Sequence, residues 1–286
     1  MGPINVLMSV NKAFLKYSEE MIFSLLYYSS RPVNIYMMYI KNELNEDDIQ
    51  SLKKFVSNYN GNLIPILFDA TQISGVPTTI DDGSYFGLET YSRLFGAFKV
   101  PMEVEKLLYL DADMICTGDI AELYDINFDD KLWCAALDIG IEEEDLKRLQ
   151  FSENDKYVNA GVLLINVKKF RQLYNESDMT NLIMKNIKFI KYCDQDFLNK
   201  EFKKTIKIID SKYNLLAKCI RYKELNEKPL IVHYAGSVKP WHENVSRFEE
   251  EYLEPYYNAL LLQGNSKKEQ LERLKMVHAR NGYRSI

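Results

Sequence analysis

Short apolar runs alternate with amphipathic stretches through the first half of the chain. They are Ile4 to Val10, a helical pattern through Tyr28, Val33 to Ile40, a polar helical stretch from Asn45 to Tyr59, and Leu63 to Leu67. Strand-length apolar segments separated by helix-length amphipathic ones predict successive strand and helix units feeding a mostly parallel sheet. Between Ser18 and Tyr28, the residues Met21, Leu25 and Tyr28 recur at helical spacing, which assigns them to a buried face. A turn-rich loop, Thr78 to Gly87, precedes a predicted helix at Glu89 to Phe98, and a strand at Lys106 to Leu110 ends abruptly in Asp-Ala-Asp. Trp133 to Leu137 reads as a strand, Glu142 to Asp145 as an acidic segment, and Val162 to Val167 as a strand buried on both faces. The remainder is mostly helical in pattern until Leu230 to Tyr234. The glycines form neither a GxGxxG nor a GxxxxGK pattern, so a dinucleotide fingerprint and a P-loop have no support.

With 286 residues, 47% of them hydrophobic and 27% charged, the chain can bury a substantial core. The length suits one catalytic domain, residues 1–243, followed by a helical C-terminal segment, residues 244–286. A formal net charge of −5 offers a polyanion little attraction, which argues against nucleic acid as a partner. Cys116, Cys134, Cys193 and Cys219 contain no CxxC pair, so reduced thiols in a cytoplasm are expected rather than disulfides or structural zinc. The first residues run into a strand-like segment without a leader pattern. No apolar run approaches the roughly 20 residues of a spanning helix, so any membrane contact is expected to be peripheral, on the inner face.

The segment KLLYLDADMI, Lys106 to Ile115, is an apolar strand ending in two carboxylates two residues apart. Side chains at i and i+2 of an extended backbone point the same way, so Asp111 and Asp113 can converge on one cation. They offer hard oxygen ligands at the carboxyl end of a strand, where open α/β sheets bind ligands. The spacing alone is equally compatible with two acidic turn residues. His233 follows the apolar run Leu230 to Val232 within HYAGSVKPW, which places an imidazole, Gly236 and Lys239 within seven residues. Two carboxylates and one imidazole suit manganese, with magnesium as the alternative, and Lys239 supplies a point charge for phosphate.

These pieces occur together and in order. TYSRLF at Thr90 to Phe95, KLLYLDADMI, the aspartate of AALD at Asp138, YVNAGVLLINVKKFR at Tyr157 to Arg171, CDQDFLN at Cys193 to Asn199 and HYAGSVKPW at His233 to Trp241 span most of the chain. In this ordered set the chain resembles the retaining glycosyltransferases of family eight, the bacterial galactosyl- and glucosyltransferases related to glycogenin. The resemblance implies a GT-A type fold, a UDP-sugar donor, and manganese bound by Asp111, Asp113 and His233, with Ala112 beside the nucleotide. It also implies Arg93 and Asp138 on the donor sugar, Asn159 and Ala160 beside the reacting centre, and Gly236 and Lys239 at the diphosphate.

Asp194 and Asp196 are each suited to capping a helix beginning near Phe197. The resemblance instead implies that Asp194 holds sugar hydroxyls, with Gln195 near the face of the anomeric carbon. Glutamine is a poor nucleophile, so the two-carboxylate scheme of retaining glycosidases does not transfer, and same-face attack by the acceptor hydroxyl is expected. The chain departs from the family at its first strand, where DDNY is usual and SVNKAF stands at Ser9 to Phe14. Asn11 takes the place of the first aspartate and Lys12 that of the second, and Asn11 can still hydrogen-bond a uracil edge.

From Ser266 to Ile286, Lys267, Lys268, Arg273, Lys275, Arg280 and Arg284 outnumber Glu269 and Glu272, while Leu271, Leu274 and Val277 or His278 recur at helical spacing. Such a helix either lies on an anionic membrane, suiting a glycan or glycolipid acceptor of the cell envelope, or is a solvated terminal helix packed on its own domain or on a partner subunit. Three other functions compete with a UDP-hexose transferase. A non-catalytic sugar-nucleotide-binding protein would be expected to lose a metal ligand. A nucleotidyltransferase would show a Gly-rich basic loop after the first strand. A glycogenin-like self-glucosylating protein would modify one of the chain's 20 tyrosines.

Overall fold

A computed structural model describes residues 2–78, 87–217, 228–245 and 250–281. The interior of the predicted loop at Thr78 to Gly87, together with Cys219 and Arg284, lies outside the described residues. Strand β1 (Ile4–Ser9) is followed by α1 (Leu15–Tyr28), β2 (Val33–Ile40), α2 (Glu46–Ser57) and β3 (Asn62–Phe68). A 3-10 helix (Leu88–Leu94) and α3 (Gly96–Lys99) lead into β4 (Lys106–Leu110) and β5 (Met114–Cys116). Then come α4 (Ala121–Tyr124), β6 (Trp133–Ala136), α5 (Glu143–Arg148), β7 (Val162–Asn166), α6 (Val167–Leu173), α7 (Glu176–Asn186) and α8 (Cys193–Phe202). The chain finishes with β8 (Ile206–Ile209), β9 (Leu215–Leu216), β10 (Ile231–His233), α9 (Glu250–Leu262) and α10 (Asn265–Asn281).

Seven strands form the central sheet in the order β3-β2-β1-β4-β7-β6-β8, and β7 alone runs against the others. The expected mostly parallel sheet is therefore present. Alternate strand residues supply two cores: Leu7, Leu107, Tyr109, Leu163 and Ile165 on one face, Val6, Met8, Leu108, Leu110, Val162 and Leu164 on the other. β7 is buried on both faces because its apolar run is continuous.

The reversal of β7 positions the site. Leu110 pairs with Val162, so the residues just before β7 meet the residues just after β4. A smaller sheet, β5-β10-β9, sets His233 opposite Met114 and beside Leu216, next to the same strand end.

Several boundaries differ from the sequence reading. The helix expected at Glu89 to Phe98 is the 3-10 helix followed by α3, and α8 starts at Cys193, four residues before Phe197. Cys193 adopts φ 50°, and Asp196 Oδ2 accepts from the Lys191 and Tyr192 N–H groups, closing the first turn early. Strands β5, β8 and β9 interrupt stretches that lacked a strand pattern, because two to four residues are too few to establish a period.

The stripe of Leu271, Leu274 and His278 on α10 faces inward, against a cluster that includes Tyr252, Leu253, Tyr256 and Leu260 of α9, Phe23 of α1 and Ile115 of β5. His278 Nδ1 lies 2.6 Å from the Tyr257 hydroxyl and Nε2 lies 2.7 Å from the His242 carbonyl. Lys267 Nζ reaches Glu19 and the buried Glu20, each at 3.0 Å, tying α10 to α1. Of the two uses foreseen for the apolar stripe, packing on its own chain is the one present. Among the described residues no helix is long and apolar enough to cross a membrane.

Candidate active site

Asp111 follows the end of β4, Asp113 lies in the bend that leads into β5, and His233 arrives at the end of β10, so that the three side chains converge. One ligand atom from each lies within 4.8 Å of the others. His233 Nε2 is 3.4 Å from Asp113 Oδ1 and 3.8 Å from Asp111 Oδ2, and the imidazole is buried. Two carboxylate oxygens and one imidazole nitrogen converging at this spacing fit a divalent cation such as manganese. Gly161 makes room for them: a Cβ there would sit 2.4 Å from His233 Cε1 and 2.8 Å from Asp111 Oδ2.

Positive groups flank the carboxylates. Lys239 Nζ is ion-paired with Asp113 Oδ2 and donates to the Tyr234 carbonyl at 2.8 Å. Burial acts to raise the Asp113 pKa, but Lys239 and His233 outweigh it and hold the carboxyl below the usual range. Gly236, between His233 and Lys239, takes φ 96°, a conformation glycine adopts at little cost.

Arg93, 6% exposed on the 3-10 helix, joins the cation cluster to the neighbouring polar groups. Its Nη2 lies 3.0 Å from Asp111 Oδ1 and its Nε 2.9 Å from Asp194 Oδ2. Nε also donates to the Thr90 carbonyl and Nη1 to the Ala160 carbonyl, and the guanidinium lies 4.3 Å from the centre of the Tyr109 ring. Nε–H is directed at Thr90, so Asp194 Oδ2 has the charge of Arg93 beside it but no hydrogen bond. Burial pushes the Asp194 carboxyl up to about 6, against the pull of Arg93 and with a contribution from Asp111. Tyr109 donates to Asp111 Oδ1 at 2.7 Å, and burial pushes its phenol well above its ordinary value.

A second group of side chains is tightly hydrogen-bonded. Gln195 Oε1 accepts from the Ala160 N–H and from Asn159 Nδ2, while Nε2 donates to Asp138 Oδ2 and to the Tyr157 hydroxyl. Asp138 also accepts from Asn159 Nδ2 and from the Gly140 N–H. The Tyr157 hydroxyl donates to Asp196 Oδ1. Asn199 acts as a strand partner for Val158, accepting from its N–H at 2.8 Å and donating to its carbonyl at 2.7 Å.

The structure thus gathers Asp111, Ala112, Asp113, His233, Lys239, Arg93, Asp194, Ala160, Asn159, Asp138 and Gln195 beyond one end of the central strands β4, β7 and β6. Asn11 lies beside it: its amide donates to Glu89 Oε1 and its carbonyl accepts from the Phe14 N–H. Glu89 shares the 3-10 helix with Arg93. Of the two aspartates of the CDQD segment, Asp196 accepts from the backbone N–H groups that precede α8, while Asp194 lies beside Arg93. Sequence reasoning passed over Gly161, Asn214, Tyr109 and Tyr157. The alternation that pairs Asp111 with Asp113 also places Tyr109 on their side of the strand, whereas nothing in the pattern around Asn214 marks it out.

Residues 5–245 match glycosyl transferase family 8. A putative glycosyltransferase of Haemophilus influenzae is 28% identical over 251 residues, 85% of this chain and 74% of the relative. A lipopolysaccharide 1,2-glucosyltransferase of Escherichia coli is 27% identical over 233 residues, 77% of this chain and 68% of the relative. The crystal structure of the galactosyltransferase LgtC, in complex with donor and acceptor sugar analogues, superposes with a TM-score of 0.75 at 21% identity, covering 88% of this chain and 95% of LgtC. The fold is the GT-A arrangement seen in LgtC. A family match over most of the chain defines a sugar-transferring enzyme. The chain belongs to glycosyl transferase family 8.

Proposed function

We propose that this chain transfers a hexose, galactose or glucose, from a UDP-sugar to an acceptor hydroxyl on a cell-envelope glycan or glycolipid, with retention of anomeric configuration. The observation that carries the reading is the continuity of the site. Arg93 bridges Asp111 of the cation cluster to Asp194, and Ala160 connects Arg93 to Gln195, Asn159 and Asp138. A divalent cation, manganese ahead of magnesium, would be held by Asp111, Asp113 and His233 and would neutralise the departing diphosphate.

Lys239 contributes a fixed positive charge beside Asp113, suited to a phosphate oxygen. Gln195, Asp138, Asn159 and Asp194 form the polar wall suited to sugar hydroxyls. Both Asp138 oxygens accept hydrogen bonds, and the Arg93 charge beside the buried Asp194 carboxylate weakens it as a nucleophile. The Gln195 amide is a weak nucleophile. These engagements favour same-face attack, with a leaving-group oxygen taking the acceptor proton. Trapping a glycosyl adduct on Asp138 or Asp194 by mass spectrometry would overturn that route.

The names of the curated relatives, a lipopolysaccharide glucosyltransferase of Escherichia coli and a lipopolysaccharide 1,3-galactosyltransferase of Salmonella typhimurium, support a hexose donor and an envelope acceptor. Residues 1–243 are assigned as the catalytic unit and 244–286 as a helical segment. The outer side of that segment, where Lys268 and Arg273 are exposed, suits contact with the anionic inner face of a membrane. The deciding experiment is UDP release from a panel of UDP-sugars, with manganese present and then chelated, for the native chain and Asp113→Asn. Manganese-dependent turnover of one donor, lost in the variant, supports the reading. Turnover unaffected by chelation and by Asp113→Asn would sink it.

A further inference from the structure

Asn214 is buried, at 1% exposure, between the imidazole of His233 and the side chain of Asn159. Its Oδ1 lies 2.9 Å from His233 Nδ1, and its Nδ2 donates to Asn159 Oδ1 at 2.9 Å. We propose that Asn214 is a positioning residue that fixes His233 with its Nε2 lone pair toward Asp111 and Asp113, and that it takes its own orientation from the Gln195 side of the site through Asn159.

Groups whose donor or acceptor role is invariable fix the orientation of both amides. The Gly161 backbone N–H, which can only donate, points at one end of the Asn159 amide at 2.9 Å, so that end is the oxygen. The opposite end is then Nδ2, in agreement with its neighbours, Asp138 Oδ2 and the Gln195 Oε1 that the Ala160 N–H identifies independently. With Asn159 so fixed, Asn214 must present its NH2 to Asn159 and its carbonyl to His233. A carbonyl only accepts, so Nδ1 carries the proton and Nε2 is free to act as a ligand. Two backbone N–H groups just before β7 thereby determine which imidazole nitrogen faces the carboxylates. Partners of this kind commonly hold metal-binding histidines in one tautomer, and their loss typically costs about 10–100-fold in metal affinity.

The inference rests on the cation reading proposed above, and one titration separates the two. Mn2+ binding in the presence of saturating UDP is followed by the loss of the free-ion electron paramagnetic resonance signal, for the native chain, His233→Ala, Asn214→Ala and Asn214→Asp, with thermal melting recorded alongside. Asn214→Ala is expected to bind Mn2+ about 10–100-fold more weakly. Asn214→Asp keeps an acceptor for Nδ1–H and is expected to bind within a few-fold of the native chain, although it sets a carboxylate against Asn159 Oδ1 and melts earlier. A residue that serves packing alone would lower the melting temperature in both variants and leave Mn2+ affinity unchanged. Native affinity in Asn214→Ala, with binding lost in His233→Ala, overturns the inference. Should Asn214→Ala fail to fold, a loss in Asn214→Asp as large as that in His233→Ala overturns it equally. No Mn2+ binding by the native chain would instead remove the cation reading and this inference with it.

Discussion

The Gly161 backbone approaches the His233 imidazole so closely that a single added methyl group would overlap Cε1 at 2.4 Å. The same methyl would lie 2.8 Å from Asp111 Oδ2, so both side chains would have to move. Gly161→Ala is therefore expected to abolish measurable Mn2+ binding while costing about 1–3 kcal/mol of stability, the usual range for overpacking. Calorimetric Mn2+ titration and thermal melting of the variant check the two halves. Native Mn2+ affinity in a folded Gly161→Ala would contradict the geometry.

Asp194 gives a pH-dependent expectation. Burial raises its folded-state pKa to about 6 despite Arg93, above the ordinary aspartate value of about 3.9. A raised carboxyl stabilises the fold only while it is protonated, so its contribution is lost as pH rises through that window and stays lost above it. Asp194→Asn should consequently gain about 2–3 kcal/mol over the native chain at pH 7.5 in metal-free protein, and much less at pH 4.5. The same variant should lose sugar transfer. Denaturant melts at the two pH values, paired with the UDP-release assay, test the trade between stability and activity.

Lys267 and the buried Glu20 form the ionic tie between α10 and α1. Removing one member of a buried pair leaves a stranded charge, typically costing about 3–5 kcal/mol. Lys267→Met should approach that range, and Lys267→Met with Glu20→Gln should recover most of it. A double variant no more stable than the single one would show that Glu20 is not stranded.

Asn11 and Glu89 pair in place of the aspartate usual in the family. Glu89 is buried, and burial raises its pKa, so Asn11→Asp would bring a second carboxylate against one already short of solvent. The expected result is a loss of about 1–3 kcal/mol and weaker UDP binding at neutral pH, both relieved by adding Glu89→Gln. Melting curves and UDP titration of the three variants decide it.

The long strands and the candidate site residues at their ends were legible because the apolar runs Val6–Met8 of β1, Ile35–Ile40 of β2 and Leu107–Leu110 of β4 stop at polar residues. The DxD carboxylates, His233 and Arg93 could be proposed because each lies within a segment resembling a known family. Asn214 and Gly161 were not legible. Asn214 works through contacts to Asn159 and His233, 55 and 19 positions away, and Gly161 works through the space it leaves. The three short strands escaped for lack of length. The apolar stripe of α10 was visible, but its partner became apparent only in the packing against α9.

The all-apolar character of β7 has a consequence for folding fidelity. Sliding this strand one residue past β4 would exchange Val162 and Leu164 with Leu163 and Ile165, and since both faces are buried, hydrophobic burial alone hardly opposes the slip. What distinguishes the correct alignment is polar and lies just ahead of the strand. Asp111 N–H bonds the Gly161 carbonyl, Asn159 N–H bonds the Ala136 carbonyl, and the Asn199 amide clasps both backbone groups of Val158. The groups that assemble the candidate site therefore also act as the ratchet that holds the sheet in register, and changes made there bear on whether the chain reaches a single alignment at all.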